Sequence, residues 1–187
     1  MDRKQQIVQL TQMLVRQRGF DSFSYQDLSD QLGIRKASIH YHFPTKEDLG
    51  IALIDGMLAW ISHRFDEMSR EGLPAWDRLD QILAIMRTGC EHGCMCPIGS
   101  LQSSATMLTD KMKARLDILE AAELRAFTTI LNKGVEEGTM AFEGDPGHMA
   151  MVMASIIKGA ALYGRRHGRE TFDSVIAQLK LLLSSAS

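Results

Sequence analysis

The sequence predicts an all-α fold, and three observations carry that expectation. Apolar residues recur at intervals of three and four through most of the chain. Strict alternation of apolar and polar residues never lasts long enough to mark a sheet. Only four prolines occur among 187 residues, and each falls at a break in the helical pattern.

The elements follow in order. A first helix is expected over residues 3–18, with Ile7, Leu10 and Leu14 on one face. A second begins at Ser24-Tyr25-Gln26-Asp27, where the Ser24 hydroxyl and the Asp27 carboxylate form a reciprocal capping box. Leu28 and Leu32 supply its buried side, and Gly33 breaks it. A short third helix spans residues 36–43 and stops at Pro44, which disfavours helical geometry in the residue before it. A long fourth helix covers residues 46–69 and ends before Gly72-Leu73-Pro74. A fifth covers residues 75–90, residues 93–99 read as irregular, and a long run covers residues 109–137. After the loop Glu143-Gly144-Asp145-Pro146-Gly147 come two closing helices, over residues 148–167 and 170–184. About nine helices are expected. They form a three-helix helix-turn-helix domain over residues 1–48 and an all-helical ligand-sensing and dimerisation domain over residues 49–187.

The composition is that of an ordered globular protein, 45% hydrophobic and 24% charged. Up to Lys46 there are seven basic residues against four acids, a balance of +3, so with a total of −2 the rest of the chain carries −5. That asymmetry suits an N-terminal module facing a polyanion. No apolar run is long enough to span a membrane, and the N-terminus MDRKQQIVQL lacks the features of a signal peptide. Three cysteines cannot all pair within one chain. A cytoplasmic, reducing compartment is therefore expected.

The stretch SYQDLSDQLGIRKASIHYHFPTK, residues 24–46, carries the functional signal. A helix, a Gly-centred turn and a second short helix make a unit whose second helix enters the major groove of a duplex. Leu28, Leu32, Ile34, Ile39 and Phe43 are expected to lock the two helices together. Arg35, Lys36, Ser38, His40, Tyr41 and His42 remain as the polar set of the short helix. Lys36, Ser38, Tyr41 and Lys46 suit phosphate, whereas Arg35, Lys36 and His40 suit base edges.

The pattern Leu28-x3-Leu32-Gly33-Ile34-x4-Ile39-x-Tyr41-His42-Phe43-x2-Lys46-x2-Leu49 resembles the signature of the TetR family of bacterial regulators. The resemblance implies a homodimer on a palindromic DNA operator, usually a repressor, released when a small ligand enters the C-terminal domain. By position it places Ser24, Tyr25 and Gln26, at the start of the second helix, on the DNA side. Lys36, Ala37, Ser38 and His40 then fall on groove-facing positions, and Tyr41, His42 and Lys46 on the phosphate backbone. Two positions depart from the family pattern: Arg35 stands where a small capping residue is frequent, and His40 where Tyr is usual.

For the sensor, Trp60, Met86, Met107 and Phe127 are expected to line an apolar pocket, with Glu123 on the same stripe as a ligand-orienting carboxylate or a salt-bridge partner. The run Cys90-Glu91-His92-Gly93-Cys94-Met95-Cys96-Pro97 gathers all three cysteines and one His within seven residues. Cys90, Cys94 and Cys96 admit three readings: a thiol sensor, a metal site, or buried small residues. The Cys-x-Cys spacing lacks the paired arrangement of structural zinc sites, so no metal is expected, and no cofactor either. The run Cys96 to Leu101 also resembles a segment of family members that answer to reactive electrophiles or small unsaturated acids. Met149, Met153, Ile156, Ile157 and Ala160, with Phe172, Val175, Ile176, Leu179 and Leu183, give two amphipathic faces expected to form the dimer. No nucleophile–base set, phosphate loop or carboxylate pair points to an enzyme. The rival reading is a helical small-molecule or metal-binding dimer without DNA function.

Overall fold

The structure is a computed structural model and describes residues 2–184. Among them, nine α-helices follow one another: α1 Arg3–Arg18, α2 Tyr25–Leu32, α3 Lys36–His42, α4 Lys46–Arg70, α5 Ala75–Glu91, α6 Pro97–Ser103, α7 Asp110–Glu136, α8 Pro146–His167 and α9 Arg169–Leu183. Two 3₁₀ turns, Phe20–Ser22 and Ala105–Met107, complete the order. An isolated bridge joins Met140 to Ser184.

Short polar side chains set the helix starts. Asp2 accepts from the Gln5 amide at 2.8 Å and caps α1. At α2 the capping box is present as expected, with the Ser24 amide donating to Asp27 at 2.7 Å. A second reciprocal pair opens α4, where Thr45 and Asp48 satisfy each other's amides at 3.0 and 3.1 Å. Gly33 closes α2 in the left-handed conformation, φ 62° and ψ 34°, which L side chains rarely adopt. Arg35, by contrast, gives α3 no side-chain cap.

The segment expected to be irregular is corrected in its second half, because α6 begins at Pro97. Proline suits the first helical position, but seven residues containing Gly99 carry too few apolar positions to show a period.

The chain forms two compact units: residues 1–59 with 97–119, and residues 60–96 with 120–187. In the first, Ile7, Leu14, Val15, Phe20, Phe23, Leu28, Ile39 and Phe43 are buried, while Leu32 and Ile34 are only half-buried. Ser100 of α6 belongs to this core. It is fully buried and donates its hydroxyl to the Val15 carbonyl at 2.7 Å, near the end of α1.

In the second unit α8 and α9 pack on α5 around Leu79, Leu83, Cys90, Met153, Ile157, Phe172, Ile176 and Leu179. Here the expected dimer faces are corrected. Met149, Met153, Ile156, Ile157, Ala160, Phe172, Val175, Ile176, Leu179 and Leu183 all belong to this internal core or pack against it. The apolar residues left exposed on these helices are Met151, Val152, Leu162 and Tyr163 of α8 and Leu181 and Leu182 of α9. Helix α8 is apolar on two sides and α9 at its C-terminal end, and the stripe with the better period is the one the chain buries within itself.

Candidate nucleic-acid interface

On α3, Ile39 is fully buried and Ser38 and His42 are half-buried, so residues 38, 39 and 42 form the inner side. Lys36, Ala37, His40 and Tyr41 are exposed and share the outer arc of this short helix. Tyr41 is 83% exposed, its ring edge-on to His42 at 5.2 Å, so its hydroxyl stands in solvent. Arg35 lies exposed at the N-terminal end of the same face. Gln26 on α2 is exposed and donates to Asp30 at 2.7 Å, and Ser24 is exposed beside it.

Two expected contact residues serve the interior instead. Tyr25 is 7% exposed, and its hydroxyl lies 2.9 Å from the Phe43 carbonyl oxygen and 2.5 Å from that of Thr45. Burial, with Asp48 adding to it, pushes its pKa up to about 12, so the phenol stays protonated and remains a donor. The Lys46 ammonium donates to the Phe23 carbonyl at 2.7 Å and sits 5.0 and 4.5 Å from the Phe20 and Phe23 ring centroids. Burial pulls the pKa of this ammonium down, against the opposing pull of Asp21 and Asp27. Both side chains fix the frame that carries α3: Tyr25 joins α2 to the end of α3, and Lys46 joins α4 to the chain ahead of α2. Sequence reading missed the Phe20–Phe23 cage, since nothing local links these rings to a lysine more than twenty positions on.

A helix-turn-helix that buries its inner side and offers Lys36, His40 and Tyr41 outward has the form of a DNA-reading module. Residues 7–53 match the family model "Bacterial regulatory proteins, tetR family". Those residues carry the N-terminal domain of that family. The chain is similar to the "HTH-type transcriptional repressor NemR" of Escherichia coli K12, 23% identical over 98% of this chain and 95% of that protein. It is also similar to the "HTH-type transcriptional repressor KstR2" of Mycobacterium tuberculosis, 23% identical over 73% of this chain and 68% of that one. The fold agrees with a solved TetR-family regulator from Agrobacterium tumefaciens, TM-score 0.89 and 24% identity over 97% of each chain. It agrees also with the reduced form of Escherichia coli NemR, TM-score 0.80 and 21% identity over 98% of each.

Of the expected sensor residues, Met107 belongs to the first unit and the others to the second. Trp60 is 50% exposed and Met107 68% exposed, so neither lines an enclosed pocket within this chain. The reason is helical phase: Met57, Ile61 and Met68 take the buried stripe of α4, and Leu108 takes the interior beside Met107. Phe127 and Cys90 lie in the core of the second unit, with Met86 packed against it. Glu123 is salt-bridged to Lys158 at 2.6 Å, largely out of water, and burial raises its pKa despite that partner. Cys90, Cys94 and Cys96 are all buried and none is in a disulfide. The Cys90 thiol lies 3.6 Å from the Ala161 carbonyl oxygen, and burial pushes its pKa up, which disfavours the thiolate. Among the described residues no three His, Cys, Asp or Glu side chains are grouped to hold a metal ion. Nor is any helix among them long and apolar enough to cross a membrane.

Proposed function

We propose that this chain is a ligand-responsive repressor that binds a palindromic operator as a homodimer and leaves it on meeting a small molecule or thiol-reactive signal. The observation that carries the DNA half is the outward arc Lys36, Ala37, His40 and Tyr41, on a helix held from behind by Tyr25. Lys36 and Tyr41 donate to phosphate or base edges, and Gln26 and Ser24 extend the surface from the start of α2. The repressor names of the similar NemR and KstR2 proteins support the direction of control.

The homodimer is built on the exposed sides of α8 and α9. Six large apolar side chains, Met151, Val152, Leu162, Tyr163, Leu181 and Leu182, stand there in water. Large apolar side chains exposed in this number on two neighbouring helices suit a surface covered by a partner. Two-fold symmetry then pairs two α3 helices with two half-sites. A duplex partner implies the cytoplasm.

For the signal, Cys94 and Cys96 are better candidates than Cys90, whose thiol is held neutral. Cys96 stands four residues before Ser100, whose buried hydrogen bond holds α1. A bulky or charged modification of Cys96 strains that segment and biases the DNA-binding unit towards a state that no longer fits the operator. A second route for the signal is the Glu123–Lys158 pair, which a carboxylate or carbonyl ligand would split. Electrophoretic shift on the duplex upstream of the chain's own gene, before and after N-ethylmaleimide, tests the proposal. A shifted complex released by the reagent in wild type but not in Cys96→Ser supports it. The thiol signal fails if Cys94→Ser and Cys96→Ser release DNA as readily as wild type.

A further inference from the structure

His40 is the one outward residue of α3 whose hydrogen-bonding character the fold itself sets. Its ring packs on the Tyr25 ring, centroids 4.7 Å apart and planes at 60°. Its Nδ1 lies 3.3 Å from the carbonyl oxygen of Pro44. A carbonyl oxygen only accepts, so Nδ1 carries the proton of that bond. In a neutral imidazole the other nitrogen, Nε2, then keeps its lone pair and accepts. Nε2 lies across Cε1 from the occupied edge, on an exposed residue, and meets no hydrogen-bond partner among the described residues. The fold therefore presents an acceptor on the face that enters the groove.

In the major groove only cytosine N4 and adenine N6 offer donors, whereas guanine offers N7 and O6 and thymine offers O4, all acceptors. An acceptor-only His40 matches the first two and faces a lone pair on the others. We propose that His40 is a specificity-determining residue that reads an exocyclic amine, of adenine or cytosine, through Nε2, with the Pro44 carbonyl fixing the tautomer. The proposal rests on the DNA-binding reading above.

Selection of the full-length chain against a random duplex library at mildly alkaline pH is the test. One base pair in each half-site is expected to be fixed in orientation; every pair carries one amine in the major groove, so deleting the amine on one strand identifies the partner of His40. His40→Phe, which keeps the ring against Tyr25 but has no nitrogen, loses the preference there and leaves the other positions unchanged. His40→Lys, a donor only, moves it to guanine. Removing the amine from that base, with purine for adenine or pyrimidin-2-one for cytosine, weakens wild type about ten-fold and leaves His40→Phe unaffected. It also shows which base supplies the amine. Nitrogen-15 spectra of the chain show the His40 proton on Nδ1. Amine deletion that weakens wild type on neither strand, an unchanged preference in His40→Phe, or a proton on Nε2 overturns the proposal while DNA binding stands. No enriched duplex at all overturns the DNA-binding reading, and this proposal with it.

Discussion

The Tyr25 hydroxyl meets the Phe43 carbonyl oxygen at 2.9 Å and that of Thr45 at 2.5 Å, so one proton at the start of α2 serves both carbonyls where the chain leaves α3. Helix α3 is only seven residues long, too short to hold its own conformation in water. Its outward arc is therefore as rigid as this bond and the packing of Ile39 and Phe43 make it.

Tyr25→Phe keeps the ring and removes the donor, so the Phe43 carbonyl loses a buried hydrogen bond while that of Thr45 keeps the Leu49 amide. Stability is expected to fall by about 1–2 kcal/mol, read as a lower denaturant midpoint. Affinity should drop on all duplexes alike, because the frame loosens while the groups that read bases stay the same. A variant of unchanged midpoint and altered base preference would mean that Tyr25 reads DNA directly.

Lys46→Ala separates a frame residue from a phosphate contact. With the ammonium between two phenyl rings and a carbonyl, the expected outcome is a loss of about 1 kcal/mol in stability and a nearly unchanged salt dependence of DNA binding. A Lys that neutralises one phosphate instead lowers the slope of log K against log salt by about 0.9 and leaves the midpoint in place.

How much of this was legible from sequence differs between the two compact units. The helix-turn-helix was readable because its signals are local: Ser24 and Asp27 sit three apart, Gly33 marks the turn, and Leu28 and Ile39 face inward. The roles of Tyr25 and Lys46 were not, since their partners lie about twenty positions away and position alone placed both on the DNA side. Further on, periodicity named the right helices but could not say which apolar side faces in. Trp60 and Ile61 are adjacent, and only packing decides that Ile61 is buried and Trp60 half exposed. The same ambiguity turned the internal face of α8 and α9 into the expected dimer face.

The close approach of Gly164 to Cys90 offers a sharp packing test. A Cβ on Gly164 would lie 2.9 Å from the Phe172 Cβ and 3.1 Å from the Cys90 thiol, both too close. Gly164→Ala is expected to destabilise by about 1–3 kcal/mol, and Cys90→Ala in the same chain should restore part of that. Gly159→Ala on the same helix meets nothing within 4 Å and should be neutral or slightly stabilising. Equal thermal midpoints for the two glycine variants would contradict the packing.

The surface of α8 and α9 makes a separate prediction about assembly. Leu162→Glu with Leu181→Glu places charge on exposed positions, so folding should survive while self-association fails. Sedimentation is expected to give a dimer for wild type and a monomer for the double variant, with DNA affinity greatly reduced. A variant that remains dimeric moves the interface elsewhere.

Acid should loosen the helix starts of the DNA-binding unit. Hydrogen bonds from Ser24 hold the Asp27 carboxyl below its ordinary value, and those from Thr45 do the same for Asp48. A carboxylate with a lowered folded pKa stabilises the fold above its unfolded value and loses that contribution as pH falls through the folded one. Stability should therefore decline from about pH 4 downward, and Asp27→Asn with Asp48→Asn should flatten the decline in urea titrations. An unchanged acid limb would assign it to other groups.

On the proposed reading, control depends on two copies of α3 reading a two-fold duplex through Lys36, Ala37, His40 and Tyr41. DNase I footprinting of the full-length chain on duplexes enriched from a random library tests that dependence most directly. Two inverted half-sites with centres about 34–36 Å apart are expected to be protected, and Lys36→Ala with Tyr41→Ala should abolish both. No protection on any duplex, or one unrepeated half-site that survives the double variant, would contradict it.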